Sequence, residues 1–409
     1  MASEFEPHAS PPRPLTPKLS TQRLTVNPPS QRLRVMIDAR YIRDRSSGIG
    51  RYTERTLLPM LELDPELHLV LLTHQDRPAP LEHPRVECRL VGGAPNSPRT
   101  RWLLPKTLDF TGIDLFHSPF NILPGPLPVP AVFTLHDIMW LLDPGYCTDS
   151  RWRQIVSGAF YGALIPASVR EARRIMTVSH HSREAIEARF PDVQGRVHVT
   201  YNGLDPFFSP QPKEVTDALL APHIEPGRPF VLVVGQGSPY KNHAGALAGF
   251  LEAFGDDPEV AFVLIRRFSR GPAHELNDLM RDPRLRGRLI HLPYVSGEEL
   301  RAFYSAARVF LFPSLYEGFG LPALEAMACA TPVVTSNEGA PAEVCAEGAL
   351  GVDPRDSKAI ARALRTLMDD DALYERMVQA GKARASEFTW QQCARQILDV
   401  YHQVGRQQG

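Results

Sequence analysis

From about residue 34 onward, short apolar runs alternate with longer stretches in which apolar positions recur every three or four residues. Runs of the first kind have the length of buried strands, and stretches of the second kind read as the helices that cover them. Strands are predicted at 35–37, 67–72, 86–90, 115–116, 132–135, 175–178 and 197–200, with helices at 51–63, 151–173 and 182–189 among them. A proline-punctuated stretch, Asp205-Pro206-Phe207-Phe208-Ser209-Pro210-Gln211-Pro212, then breaks the pattern. Strands resume at 230–234, 260–265, 289–292, 309–312 and 333–335, and the chain closes in helical runs over 357–403. This alternation predicts an α/β fold of two doubly wound, Rossmann-like domains facing across a cleft, with ligands beyond the carboxyl ends of the strands. The expected division is a disordered tail at 1–31, a first domain at 32–210, a second at 211–387 and a terminal helix at 388–409. No short-period repeat is present, which sets aside a solenoid.

The length of 409 residues agrees with two or three domains. Lys plus Arg number 45 against 46 Asp plus Glu, so there is no electrostatic case for a nucleic-acid partner. Cys88, Cys147, Cys329, Cys345 and Cys393 are odd in number and lack metal-type spacing, which points to reduced thiols and a cytoplasmic setting. No run is apolar enough to cross a bilayer, and residues 1–31 lack the apolar core of a signal peptide.

The densest chemistry lies at Glu317-Gly318-Phe319-Gly320-Leu321-Pro322-Ala323-Leu324-Glu325, directly after the strand at 309–312. Pro322 suits a first helical position, and Gly318 and Gly320 let a ligand approach free backbone N–H groups, so this is a candidate anion site. Glu325 falls in the first turn of that helix and can reach diol hydroxyls, while Glu317 stands ahead of the helix, at the mouth of the cleft. An ordinary strand–turn–helix with solvated glutamates would show the same turn chemistry. Gly48 and Gly50, in Ser46-Ser47-Gly48-Ile49-Gly50-Arg51, could face a diphosphate, although this is no dinucleotide fingerprint because the third glycine is missing. His136 and Asp137 close the strand at 132–135, and His180 and His181, at another strand end, read better as structural. Gly235-Gln236-Gly237-Ser238-Pro239-Tyr240-Lys241 follows the first strand of the second domain, and Arg266 is an unusual charge directly after a β run. With no Asp-x-Asp cluster at a strand end for a metal, Lys241 and helix N-termini are left to meet a phosphate, and Arg266 is the candidate for a further cation.

The string from Pro313 to Ala328, with Glu317 and Glu325 eight positions apart, resembles the signature of the retaining glycosyltransferase family 4, of the GT-B fold. The resemblance covers roughly residues 34–401. It implies that Glu317 contacts the donor sugar, Glu325 the nucleotide ribose, Lys241 the phosphates, and His136 the cleft as a catalytic residue. Gly318, Phe319, Gly320, Leu321, Gly48, Gly50, Gly235 and Arg266 would line the donor site. Where many members carry an arginine this chain has Gln236, and Arg266 is the candidate replacement, with Arg51 second. The resemblance also implies a terminal helix that crosses back onto the first domain, and front-face retention with the donor phosphate taking the acceptor proton. No metal and no cofactor is expected. His117-Ser118-Pro119-Phe120 ahead of His136 resembles bacterial mannosyltransferases of surface-glycan synthesis, which favours GDP-mannose over UDP sugars and a glycan or lipid-linked acceptor. Arg99-Thr100-Arg101-Trp102-Leu103-Leu104-Pro105-Lys106 interleaves basic and apolar residues, as a peripheral contact at the membrane's inner face would, although packing on the domain is the stronger reading. The rival functions are a GT-B phosphorylase or sugar-nucleotide epimerase, and a catalytically silent nucleotide-binding module.

Overall fold

In a computed structural model, residues 32–43, 47–267 and 274–405 are described; the tail expected at 1–31 lies outside them, as do Ser46 and 406–409. The first sheet contains β1 (Leu33–Asp38), β2 (Leu67–Thr73), β3 (Val86–Leu90), β4 (Leu115–Ser118), β5 (Ala131–Thr134), β6 (Arg174–Thr177) and β7 (Val197–Val199). Their order is β3-β2-β1-β4-β5-β6-β7, every pair parallel. The second contains β8 (Phe230–Gln236), β9 (Ala261–Arg267), β10 (Leu289–Leu292), β11 (Val309–Phe312), β12 (Val333–Ser336) and β13 (Ala349–Val352), in the order β10-β9-β8-β11-β12-β13, also parallel. Strands covered by helices on both faces must be apolar at successive positions, which is why runs such as Val-Phe-Leu-Phe in β11 are buried throughout. In each sheet the order of strand addition reverses, between β1 and β4 and between β8 and β11, and these switch points are where such sheets bind ligands.

The terminal helix, Trp390–Gly405, completes the core of the first domain: Cys393, Ile397, Tyr401 and Val404 pack with Val35, Ile37, Tyr52 and Leu57. Each large apolar side chain buried there stabilises by about 1.5–3 kcal/mol. The same helix explains two polar residues inside β4 and β5. His117 Nδ1 lies 2.6 Å from Tyr401 Oη and its Nε2 lies 3.0 Å from Thr134 Oγ1, so a buried imidazole has partners on both sides. The two chain crossings between the domains run side by side, with Leu204 N–H donating to Phe388 O at 3.0 Å. A Cβ at Gly203 would stand 2.3 Å from Trp390 N, so only glycine fits there.

Across the cleft, Ser179 Oγ–H donates to Gly318 O at 2.8 Å. Glu343 of the second domain accepts from His180 N and His181 N at the start of the helix His180–Arg189, 2.8 Å each, and from Tyr201 Oη. A carboxylate at a helix N-terminus satisfies two free donors and the helix dipole together, so these histidines serve the interface through their backbone.

Candidate active site

Residue 317 begins the strand-to-helix turn that follows β11. Gly320 adopts φ 113° and caps the helix Leu321–Ala328, so Pro322 occupies the second helical position and not the first. Glu325 therefore lies in the second turn. Its carboxylate is buried and its Oε2 accepts from Tyr304 Oη at 3.0 Å. Burial raises its pKa from 4.5 to about 7, against the opposing pull of Arg51 and the Tyr304 hydrogen bond.

Glu317 is not at the open mouth of the cleft but buried, with Oε1 2.6 Å from Lys241 Nζ. Lys241 sits in the turn Pro239–Lys241 after β8, its ammonium 4.7 Å from the centroid of Phe312 and 5.1 Å from that of Tyr240. Removing one partner of so buried a pair leaves a stranded charge, at a cost of about 3–5 kcal/mol. Gly235 makes the arrangement fit: a Cβ there would stand 3.0 Å from His243 Nε2 and 3.2 Å from Lys241 Cδ.

Arg266 lies inside β9, not after it, paired with Gly235 of β8. It is buried; its Nη2 reaches Gly237 O at 3.5 Å and its Nε has no hydrogen-bond partner among the described residues. Burial lowers its pKa, opposed by Asp149 of the first domain. His243 beside it is pushed down to about 3 by burial, then by Arg266, Lys241 and His291, and its Nε2 is also unpartnered. Arg266 and Lys241 thus gather at one glycine turn, both near enough to His243 to keep its imidazole neutral, with Lys241 paired to Glu317.

From the first domain, His136 Nε2 lies 3.1 Å from Pro119 O and its ring packs edge-on to Tyr52 at 5.0 Å. A carbonyl only accepts, so Nε2 carries the hydrogen and Nδ1 keeps its lone pair. Burial lowers the imidazole to about 4, and it is neutral at pH 7. Its backbone carbonyl is where the domains touch: a Cβ on Gly318 would stand 2.5 Å from His136 O. Asp137 next to it is pushed up by burial, against the hydrogen bond from Met139 N–H, and the charge of Glu317 from the second domain adds to the rise. Gly48 and Gly50 form the first turn of the helix Gly48–Leu63, three residues ahead of its predicted start, and Ser47 caps it by accepting from Gly50 N at 3.3 Å. Phe319 and Leu321 pack into or against the second domain's core.

The structure thus brings Glu317, Gly318, Gly235, Lys241 and Arg266 to one side of the cleft and His136 to the other. Tyr304, His243 and Ser179 are participants that the motifs do not reveal. The segment at 99–106 is packed, not free: Arg101 is buried, its guanidinium 2.6 and 2.5 Å from the two Glu171 oxygens, although Trp102 and Leu103 remain exposed. Among the described residues there is no group of three or more His, Cys, Asp or Glu placed to hold a metal.

Two family models match the chain: Glycosyltransferase Family 4 over residues 46–207 and Glycosyl transferases group 1 over residues 220–384. The O-antigen chain mannosyltransferase B of Escherichia coli is 31% identical over 304 residues, 74% of this chain and 77% of that protein. The sucrose-phosphate synthase of Thermosynechococcus elongatus superposes with TM-score 0.67 at 22% identity, covering 91% of this chain and 99% of the other. HepE of Anabaena, solved with UDP and glucose, gives 0.64 at 18% identity, covering 90% and 98%. The chain is a GT-B glycosyltransferase. It belongs to the family-4-like group that joins these two domains, and the O-antigen mannosyltransferases are among its relatives.

Proposed function

We propose that this enzyme moves a hexose, mannose in preference, from a nucleotide sugar to a hydroxyl of a glycan or lipid-linked acceptor, with retention at the anomeric carbon and GDP-mannose as donor. The observation that carries the reading is the gathering of Arg266, buried with its Nε unpartnered among the described residues, and the Lys241–Glu317 pair at the carboxyl ends of β8 and β9, beside the turn at Gly235. Charge growing on a leaving diphosphate is stabilised by cations already fixed in a dry site, and each such donor contributes roughly 2.7–4 kcal/mol. Glu325 accepts from the ribose diol, and Glu317, held by Lys241, faces the transferred sugar. His136 offers a neutral Nδ1 to a sugar hydroxyl. The acceptor hydroxyl attacks from the side of the departing phosphate, whose oxygen takes the proton, so no carboxylate nucleophile is required, in contrast to a retaining glycosidase. Phosphate charge is met by side chains and N–H groups, without a metal. Among the described residues no helix is long and apolar enough to cross a membrane, and contact with the inner face of one is peripheral in this reading.

The test is slow donor hydrolysis across a panel of nucleotide sugars without acceptor. GDP-mannose is expected to be cleaved fastest. Faster cleavage of UDP-glucose would replace the donor, and cleavage of none would overturn the reading.

A further inference from the structure

The helix Arg151–Glu171 belongs to the first domain and carries Arg151, Arg153, Arg170 and Glu171 as its only charges; residues 154–169 have none. Its inner face is buried through Leu164, Ile165 and Val169, as a surface helix requires. Its outer face should then be polar, and it is not. Trp152 is 72% exposed, Ile155 67% and Val156 46%, and Ala159 and Ala163 continue the same stripe at offsets of three, four, seven and eleven residues. Leu142, at the end of the neighbouring short helix Met139–Leu142, is 49% exposed. Arg151 and Arg153 flank Trp152, and Arg170 lies five turns along the same line, about 27 Å away. None of the three has an ion pair among the described residues, whereas Glu171, the one acid of the helix, is held by Arg101.

We infer that this face docks on an anionic lipid bilayer. An apolar stripe that opens on a tryptophan and has arginines at both ends suits the boundary between acyl chains and anionic headgroups. The helix's one acid is already held by Arg101, so its three arginines remain for anionic headgroups, although Asp143 and Asp149 stand exposed just ahead of the helix. The position also suits the enzyme. The segment leading into the helix, Pro144–Cys147, places Tyr146 in a stack with Tyr316 at 6.3 Å, one residue ahead of Glu317, so the docked face adjoins the cleft from the acceptor domain's side. This inference rests on the lipid-linked arm of the proposed acceptor, and it moves membrane contact from the packed segment at 99–106 to this helix.

The test is co-sedimentation of the full chain with vesicles of phosphatidylcholine alone and with phosphatidylglycerol added. The wild type should pellet with the mixed vesicles. The variant Trp152→Ser with Ile155→Ser should lose at least ~10-fold in partitioning, from two apolar side chains left in water. Arg151→Ala with Arg153→Ala should lose about fivefold per arginine on the anionic vesicles, and nothing on neutral ones. Both variants should keep the wild-type unfolding midpoint and donor hydrolysis, so that loss of vesicle binding with hydrolysis intact concerns this surface and not the chemistry. Failure of the wild type to pellet with anionic vesicles, or variants that pellet as the wild type does, would overturn the inference. So would light scattering that shows a dimer which the Trp152→Ser, Ile155→Ser variant abolishes, without vesicle binding, since the face would then pair copies.

Discussion

Replacing Glu325 by glutamine should make the unliganded enzyme more stable and worse at binding nucleotide, and the first effect should depend on pH. The carboxyl is buried against Tyr304 and its pKa is raised from 4.5 to about 7, with burial the largest cause. At roughly 1.4 kcal/mol per pH unit, that rise favours the neutral form by about 3 kcal/mol. The folded protein therefore holds the proton where the unfolded chain has lost it. Stability is full below pH 4.5 and declines as pH rises toward 7, after which the whole cost is present. Glutamine cannot ionise, and its amide oxygen can still accept from the Tyr304 hydroxyl. The difference in urea unfolding free energy between variant and wild type should then grow from near zero at pH 4.5 to about 2–3 kcal/mol in favour of the variant above pH 7. Subtracting the variant removes every other titrating group from the comparison. The ribose, in turn, needs the carboxylate as acceptor. Calorimetry with free nucleoside diphosphate near pH 7 should show release of a proton by the wild type and none by the variant, with affinity lower by about 1.5–3 kcal/mol. A stability difference that does not change with pH would refute the burial argument, and unchanged affinity would remove Glu325 from the ribose.

Gly318→Ala should lower turnover more than ~10-fold while each domain stays folded, because its Cβ would stand 2.5 Å from His136 O and displacing backbone costs about 1–3 kcal/mol. Small-angle scattering should report a wider cleft, and unchanged scattering with unchanged turnover would show that the contact carries nothing. Lys241→Ala and Arg266→Ala should each cut turnover by at least ~100-fold if each cation meets the leaving diphosphate. A silent Arg266→Ala beside a slow Arg51→Ala would show that the second charge arrives from the first domain, from the arginine that already faces Glu325.

The sheets are legible in the sequence because burial on both faces forces unbroken apolar runs, and all twelve predicted runs need no more than adjusted ends. Two differences are instructive. β4 continues through His117 and Ser118, which look like the end of a strand until Tyr401, far along the chain, supplies the partner. β13, Ala-Leu-Gly-Val, is a sheet edge with a glycine and partial exposure, so no run marks it. In the site, the two glutamates and Lys241 are visible through their motif, but not that Glu317 and Lys241 bind each other, since 76 residues separate them. Tyr304 carries no local signal at all. Its role exists only because one helix packs beside another. The helix Arg151–Glu171 has the opposite difficulty: its charge-free middle is plain in the sequence, but apolar residues on a helix read as core until the structure leaves them uncovered.

The terminal helix Trp390–Gly405 has a consequence for synthesis. A ribosome that has finished β7 has made every strand of the first sheet, yet the side chains that close it, Cys393, Ile397 and Tyr401, are still nearly two hundred codons away. In that interval His117 lacks the hydroxyl partner of its Nδ1, and Val35, Leu57 and their neighbours lack their cover. The second domain, by contrast, has all its strands before the last helix emerges. The nascent chain thus completes its later half first, and the earlier half waits open, in need of shielding, until the helix Trp390–Gly405 has been made.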